Sequence, residues 1–245
     1  MSNPIIGYYV NRKESLLKEF NHTVALMEGS LVTRFGMEFA SSLKTEVRQE
    51  YEKLVPHIPY IPAIRGKPLN SFLLITAQEL AVYKAMKRHG KPVGEAWELC
   101  HEALRLRMAE MPKWKRWLLR YIMFSTIVMT IVKRRARKQE KACLGDFEVE
   151  YFIGEGGDFD FGVNYLKCGN LNFVIEYGGE EFAPYVCMSD IALSDALGWG
   201  LTRTQTLADG CDYCDFRFKK EAATQVSSKT PEVQKTIERI CKGEE

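Results

Sequence analysis

A change in hydrophobic period near Gly145 constrains the fold more than any other feature of the sequence. Upstream of it, apolar residues recur at steps of three and four, which is the spacing of an amphipathic helix. The predicted helices cover residues 15–27, 31–54, 72–89, 92–108 and 114–138. Downstream, Phe147, Val149 and Tyr151 alternate with polar neighbours, which is the spacing of a strand. The sequence therefore predicts a helical half followed by a sheet.

The second half of the chain predicts how that sheet is ordered. Strands are expected at residues 147–153, 159–165, 199–208 and 213–220, with helices over 170–197 between the two pairs. The predicted fold class is α+β, with a helical N-terminal half packed against a C-terminal antiparallel four-stranded sheet of ββααββ order. The predicted regions are a helical region 1–142, an α+β region 143–223 and a tail 224–245 with a short helix, together forming one compact unit.

The N-terminal sequence and the cysteines both favour a cytoplasmic protein. Residues 1–17 contain no long apolar stretch after a basic start, which argues against a secretory leader. The chain has seven cysteines, an odd number, and without an export signal these are expected to be reduced thiols rather than disulfides.

The basic segment 113–141 bears on partners, because it holds ten Lys and Arg against one Glu. Its uncharged run, 121–132, has twelve residues, whereas a bilayer span needs about twenty. A core helix with basic ends is the favoured interpretation, and peripheral membrane contact through 113–141 is the alternative. Nucleic acid is not expected, because the segment matches no known binding motif, and a homo-oligomer stays open.

The segment from Trp199 to Lys220 holds the best candidates for the wall of a functional site. Alternation along its second strand places Cys214 on the core side of the sheet. Alternation along its first strand places Arg203 on the apolar side, away from the neighbouring threonines. Because a buried charge is costly unless it is paired, Arg203 is expected to meet Asp190 or an anionic ligand. An Arg203 exposed on an open sheet face is the alternative.

Thiols and carboxylates around that segment supply candidate chemistry. Cys187 and Asp190 are three residues apart, which places both side chains on one face of a helix. Acid–base work is expected from Asp190, Asp212 or Asp215, and from thiols whose pKa is lowered near Arg203. No cofactor is expected, but a zinc site stays an alternative, with the ligands Cys168, Cys187, Cys214 and Asp190.

Three sequence blocks carry a resemblance to a known family. They are TRTQTLADGCDYCDFRF at 202–218, YLKC ending at Cys168, and YVCMSD at 185–190. In these blocks the chain resembles the L-2-amino-thiazoline-4-carboxylic acid hydrolase family, and a weaker likeness extends over IPAIRGKPLNSF and the helix after it. Two residues depart from the family pattern, Cys211 and Arg65, and either departure is compatible with another substrate.

The resemblance implies a hydrolase that opens a small cyclic amidine or thiazoline-type carboxylic acid by breaking a C–N or C–S bond. It implies catalytic roles for Cys187, Asp190 and Cys214, in which either a thiolate or a water molecule attacks the amidine carbon. Substrate binding is expected from Cys168, Arg203, Thr206 and Arg217, because an arginine fork suits a substrate carboxylate. The alternative is a non-catalytic small-molecule-binding or sensing module resembling vinyl-reductase-type ligand-binding domains.

Overall fold

The computed structural model describes residues 4–62, 66–139, 141–154 and 157–241, so that Arg65 lies outside the described residues. The chain forms two compact units. The first holds residues 1–107, 144–146 and 169–186, and the second holds residues 108–143, 147–168 and 187–245. The three regions predicted from the sequence are a different division of the chain and stay a prediction.

The N-terminal half is mostly helical, as the hydrophobic period predicts. The helices are α1 Lys13–Phe35, α2 Met37–Leu54, α3 Lys67–Arg88, α4 Val93–Glu110, α5 Lys113–Met123, α6 Thr126–Lys138, α7 Gly169–Glu176, α8 Ala183–Val186, α9 Ser189–Leu197 and α10 Pro231–Cys241. The predicted gap between residues 27 and 31 is wrong, because α1 continues to Phe35. The helix ends there because Gly36 has a φ of 85°, a left-handed conformation that favours glycine.

The first unit is built around the contacts of α1, α2, α3 and the short helices α7 and α8. Phe20 of α1 meets Tyr51 of α2 with ring centroids 4.5 Å apart. Tyr83 of α3 stacks on Phe182, which lies just before α8, with ring centroids 4.8 Å apart. Both pairs combine apolar burial with favourable ring geometry, so they fix the helices against one another.

The second unit contains a six-stranded sheet of order β1-β2-β3-β5-β4-β6. Its strands are β1 Lys141–Leu144, β2 Phe147–Ile153, β3 Phe161–Lys167, β4 Leu201–Arg203, β5 Cys214–Phe218 and β6 Gln225–Val226. The predicted α+β class is confirmed, but the four-stranded antiparallel order is not. The sheet has two additional edge strands, and β6 pairs with β4 in parallel.

One face of this sheet is apolar and is covered by α6. Val149, Phe161 and Phe218 lie on that face and are packed in one buried cluster with Val132 of α6. Because side chains alternate along a strand, Cys214 of β5 and Arg203 of β4 lie on this face too. The fold thus brings an arginine and a thiol to the covered side of the sheet.

The predicted helix over 114–138 is two helices. Ser125 separates them, because its hydroxyl oxygen accepts a hydrogen bond from the Val128 amide at 3.3 Å and so caps the start of α6. Within the residues that the structure describes, no helix combines the length and the apolar character needed to cross a membrane.

Strand β4 ends at Arg203, well before the predicted end at residue 208, because a side chain replaces its partner strand. The Asp215 carboxylate accepts hydrogen bonds from the amides of Thr204 and Gln205, both at 2.9 Å, and from the Thr204 hydroxyl at 2.6 Å. These bonds occupy the carboxylate, so the expectation that Asp215 serves as an acid or base is not supported by its position.

Candidate functional site

An ion pair between the buried Arg203 and the partly exposed Asp190 forms the centre of the candidate site. Arg203 ends β4 on the apolar face and is only 1% exposed. Its Nη1 atom donates to Asp190 Oδ2 at 2.7 Å and to the carbonyl oxygen of Cys187 at 2.7 Å. The guanidinium also lies 5.4 Å from the centre of the Phe216 ring, a cation–π contact. The predicted Arg203–Asp190 contact is therefore present, and an exposed Arg203 is excluded.

Asp190 combines a protein-lined setting with access to solvent. It lies in the first turn of α9, where the helix dipole favours a negative charge, and its side chain keeps 31% exposure. Burial raises the pKa of Asp190 from 3.8 to about 6, although the charge and hydrogen bond of Arg203 oppose that shift. A carboxylate with a pKa of about 6 is ionised at neutral pH and still basic enough to accept a proton in catalysis.

The Arg203 guanidinium has binding capacity beyond the ion pair. Its Nε atom is buried and has no hydrogen-bond partner among the described residues. Both of its contacts with Asp190 and Cys187 use Nη1, so the Nε side of the fork is not used by either of them. A carboxylate binds this kind of donor through short, charge-assisted hydrogen bonds. The unpaired Nε is therefore a feature that a ligand carboxylate would satisfy.

The thiols of the site have raised pKa values. Burial raises the pKa of Cys214 to about 12, and it raises the pKa of Cys187 well above its ordinary value. Arg203 opposes both shifts but is the smaller influence. The expectation of thiols with a lowered pKa near Arg203 is thus wrong, because desolvation outweighs the attraction of the guanidinium.

The positions of the cysteines differ in their surroundings. Cys214 lies on β5 and accepts a hydrogen bond at its sulfur from the Leu207 amide at 3.2 Å. Cys168 directly follows β3, and its thiol lies close enough to Tyr165 to interact with it electrostatically. Cys187 precedes α9, and its carbonyl oxygen accepts a hydrogen bond from Arg203.

The side chain of Thr206 caps a short helical turn at the edge of the site. Its hydroxyl oxygen accepts from the Asp209 amide at 3.1 Å and its hydroxyl donates to Asp209 Oδ2 at 3.0 Å, which caps the short helical turn Leu207–Asp209. Asp209 also accepts from the hydroxyls of Ser228 at 2.6 Å and Thr230 at 2.9 Å. Thr206 therefore holds the turn beside Cys214, and these bonds occupy its hydroxyl.

Arg217 lies on the opposite face of the sheet from Arg203. It donates to Asn164 Oδ1 at 2.9 Å, and its guanidinium lies 5.1 Å from the Phe152 ring centre and 5.4 Å from that of Phe159. Alternation along β5 already separates Arg217 from Cys214, which is a signal that the sequence contains. Arg217 is therefore not brought to the Arg203–Asp190 pair.

Two aromatic residues of the site were not predicted, although the sequence contains a signal for both. Tyr165 pairs with Cys214 across β3 and β5, and burial raises its pKa well above the ordinary tyrosine value. Phe216 lies under the Arg203 guanidinium. Alternation of β3 and β5 places both rings on the apolar face. Their position beside the ion pair follows from strand register, which the sequence does not specify.

The positions of the His, Cys, Asp and Glu side chains bear on metal binding. Among residues 4–62, 66–139, 141–154 and 157–241, no group of three or more His, Cys, Asp and Glu side chains is placed to hold a metal ion. The six cysteines whose side chains are described carry thiols and form no disulfide with one another.

Comparison with known proteins identifies the family of the chain. The model of the L-2-amino-thiazoline-4-carboxylic acid hydrolase family matches residues 74–218, which is more than half of the chain. The chain belongs to this family. The match includes α9, β4 and β5, and therefore the hydrolase-family segment contains Asp190, Arg203 and Cys214. No curated protein and no solved structure matches the chain significantly.

Proposed function

We propose that the protein is a hydrolase that opens a small cyclic amidine or thiazoline-type carboxylic acid, with Asp190 as the general base and Arg203 as the carboxylate-binding residue. The observation that carries this proposal is the Arg203–Asp190 pair, in which a partly solvent-accessible carboxylate with a pKa of about 6 adjoins a guanidinium with an unpaired Nε atom. Family membership supports the hydrolase class.

The proposed reaction balances with water as its only co-reactant. Asp190 takes a proton from water while the oxygen adds to the carbon between nitrogen and sulfur, and the proton then passes to the ring nitrogen. The tetrahedral adduct collapses to a carbonyl group, which breaks the carbon–sulfur bond. The hydroxyl proton of the adduct moves to the departing sulfur. The product is a carbamoyl-cysteine with a new thiol group.

Direct attack by water is favoured over attack by a protein thiol. A thiol is nucleophilic as its thiolate, and the raised pKa of Cys187 and Cys214 keeps both protonated at neutral pH. Asp190, in contrast, is ionised at that pH. The proposal therefore assigns activation of the nucleophile to the carboxylate, and places the thiols around it as packing groups.

Cys187→Ala and Cys214→Ala are expected to retain kcat within about threefold of the wild-type value, since neither thiol forms a bond to substrate in the proposed reaction. Steady-state release of carbamoyl-cysteine, measured by mass spectrometry on folded protein, tests this. Cys100→Ala is a matched control, because Cys100 is a buried thiol like Cys214 but lies in the first unit. A loss of about 100-fold or more for either site variant, with no loss for Cys100→Ala, would instead indicate covalent catalysis.

The pH dependence of kcat/KM is expected to rise through a pKa of about 6, because Asp190 must lose its proton to act as a base. Asp195→Asn should keep this ascending limb, since Asp195 is an exposed residue on the same helix. The contribution of Asp190 to folding stability changes with pH in the opposite direction to the activity. The raised pKa means that ionising Asp190 opposes folding, so its contribution is most favourable at low pH and falls as pH rises from 3.8 through about 6. An ascending limb of kcat/KM centred near pH 4 would contradict the assignment of Asp190 as the base.

Turnover of the cyclic substrate decides between an enzyme and a binding module. Purified protein is incubated with 2-amino-thiazoline-4-carboxylic acid and with related cyclic amidines and thiohydantoins, and formation of the carbamoyl product is followed. The hydrolase proposal expects multiple turnovers. Tight retention of these compounds without any product would contradict it and would support a sensing role.

A further inference from the structure

Helix α5 presents an apolar face to solvent. Five of its exposed large side chains recur at helical spacing: Trp114, Trp117, Leu118, Tyr121 and Ile122. Each is between 38% and 66% exposed. The rings of Trp117 and Tyr121 stack on each other with centroids 5.4 Å apart, which holds both on the same face of the helix. A contiguous exposed patch of this kind is typical of an interaction surface.

The opposite side of α5 carries arginines that turn toward the protein. Arg120 Nη1 lies 3.1 Å from Glu221 Oε1 and beside Gly198. The Arg116 Nε atom is buried. The helix is thus oriented with two cations inward and its aromatic stripe outward, which is the reverse of an ordinary surface helix. Solvent is a poor environment for this stripe, so we expect another surface to cover it.

The charges that α5 and α6 carry indicate an anionic partner. Residues 113–138 contain nine Lys and Arg and no Asp or Glu. The exposed ones are Lys113, Lys115, Lys133, Arg134, Arg137 and Lys138. A symmetric contact with a second copy would place these cations against one another, because the same patch is used on both subunits. Nucleic acid would use the cations but would gain little from aliphatic side chains such as Leu118 and Ile122.

We propose that α5 lies flat on an anionic lipid surface, with its aromatic stripe in the interface and the lysines and arginines of α5 and α6 next to the headgroups. Trp and Tyr side chains are enriched at this depth of a bilayer, and a helix of this composition binds in the plane of the interface. Eleven residues are too few to span the bilayer, whose hydrocarbon core needs about twenty. The contact is therefore peripheral.

Co-sedimentation of the full chain with vesicles tests this proposal. The protein is expected to pellet with vesicles of phosphatidylcholine and phosphatidylserine, less with phosphatidylcholine alone, and less at high salt. Trp114→Gln/Trp117→Gln/Ile122→Gln should abolish pelleting. Lys133→Gln/Arg134→Gln/Arg137→Gln should lower the partition coefficient by about fivefold for each charge removed.

Matched variants keep the test specific. Met37→Gln/Ile175→Gln removes two exposed apolar residues of the first unit, and Arg48→Gln/Lys235→Gln removes two exposed cations elsewhere; both should bind like wild type. Vesicles should also shift the tryptophan emission of wild type to the blue, and Trp114→Phe/Trp117→Phe should lose that shift while still pelleting. Failure of wild type to pellet with either vesicle, or a solution dimer that Trp117→Gln dissociates, would overturn the proposal.

Discussion

Asp190→Asn is expected to lower kcat by about 1,000-fold while leaving the protein folded. The amide cannot accept a proton from water at neutral pH, so the proposed reaction loses its base. Its oxygen can still accept the hydrogen bond that Arg203 Nη1 donates at 2.7 Å in the native protein. Single-turnover and steady-state rates with the thiazoline acid, together with a thermal melt, measure the two consequences separately.

Asp195→Asn provides the matched control for this variant. Asp195 lies on the same helix as Asp190 but is exposed, so its substitution should leave kcat unchanged. If Asp190→Asn retained wild-type turnover, Asp190 would not be the base. If it lost turnover together with its folded structure, Asp190→Glu, which keeps the carboxylate, should restore activity at least in part.

Arg203→Leu is expected to lower the free energy of unfolding by about 3 kcal/mol at neutral pH, because it leaves the Asp190 carboxylate without its cation in a protein-lined setting. The Cys187 carbonyl loses its hydrogen bond as well. Urea denaturation of wild type and variant measures the difference. In the Asp190→Asn background the same substitution should cost less, because no carboxylate is left without its cation, and this coupling identifies the ion pair as the cause.

Arg217→Leu is the control for Arg203→Leu on the other face of the sheet. It removes contacts with Asn164 and with the Phe152 and Phe159 rings, none of which involves Asp190. We expect a loss of about 1 kcal/mol and an unchanged KM for the substrate carboxylate. Equal losses of stability for the two arginine variants, or a raised KM for Arg217→Leu alone, would contradict the assignment of Arg203.

The sequence was sufficient to predict the features that follow from hydrophobic periodicity, which is two residues in a strand and three to four in a helix. Alternation placed Arg203 and Cys214 on the apolar face, and the cost of a buried charge led from Arg203 to Asp190 as its partner. The same alternation places Arg217 on the other face, away from Arg203, and its role in substrate binding stays a prediction. The start of a helix at Ser125 was also predictable, because a serine before an apolar helical segment is a common N-cap.

Other features depend on properties that a sequence pattern does not contain. Strand β6, which pairs in parallel with β4, has only two residues. Two residues are too few to give a periodic signal. The raised pKa of Cys187 and Cys214 results from the number of protein atoms around each thiol, so a prediction from the neighbouring Arg203 charge had the wrong sign. Desolvation is a property of the packed molecule and must be read from coordinates.

The carboxylate of Asp215 ends the strand hydrogen bonding of β4 before the loop that follows. Since this side chain of β5, rather than the backbone of a neighbouring strand, satisfies the amides of Thr204 and Gln205, the strand ladder ends before the loop at residues 207–213. Exchanges in that loop should reshape the rim around Cys214 at little expense to the sheet. We therefore expect relatives to retain an acid at the position of Asp215.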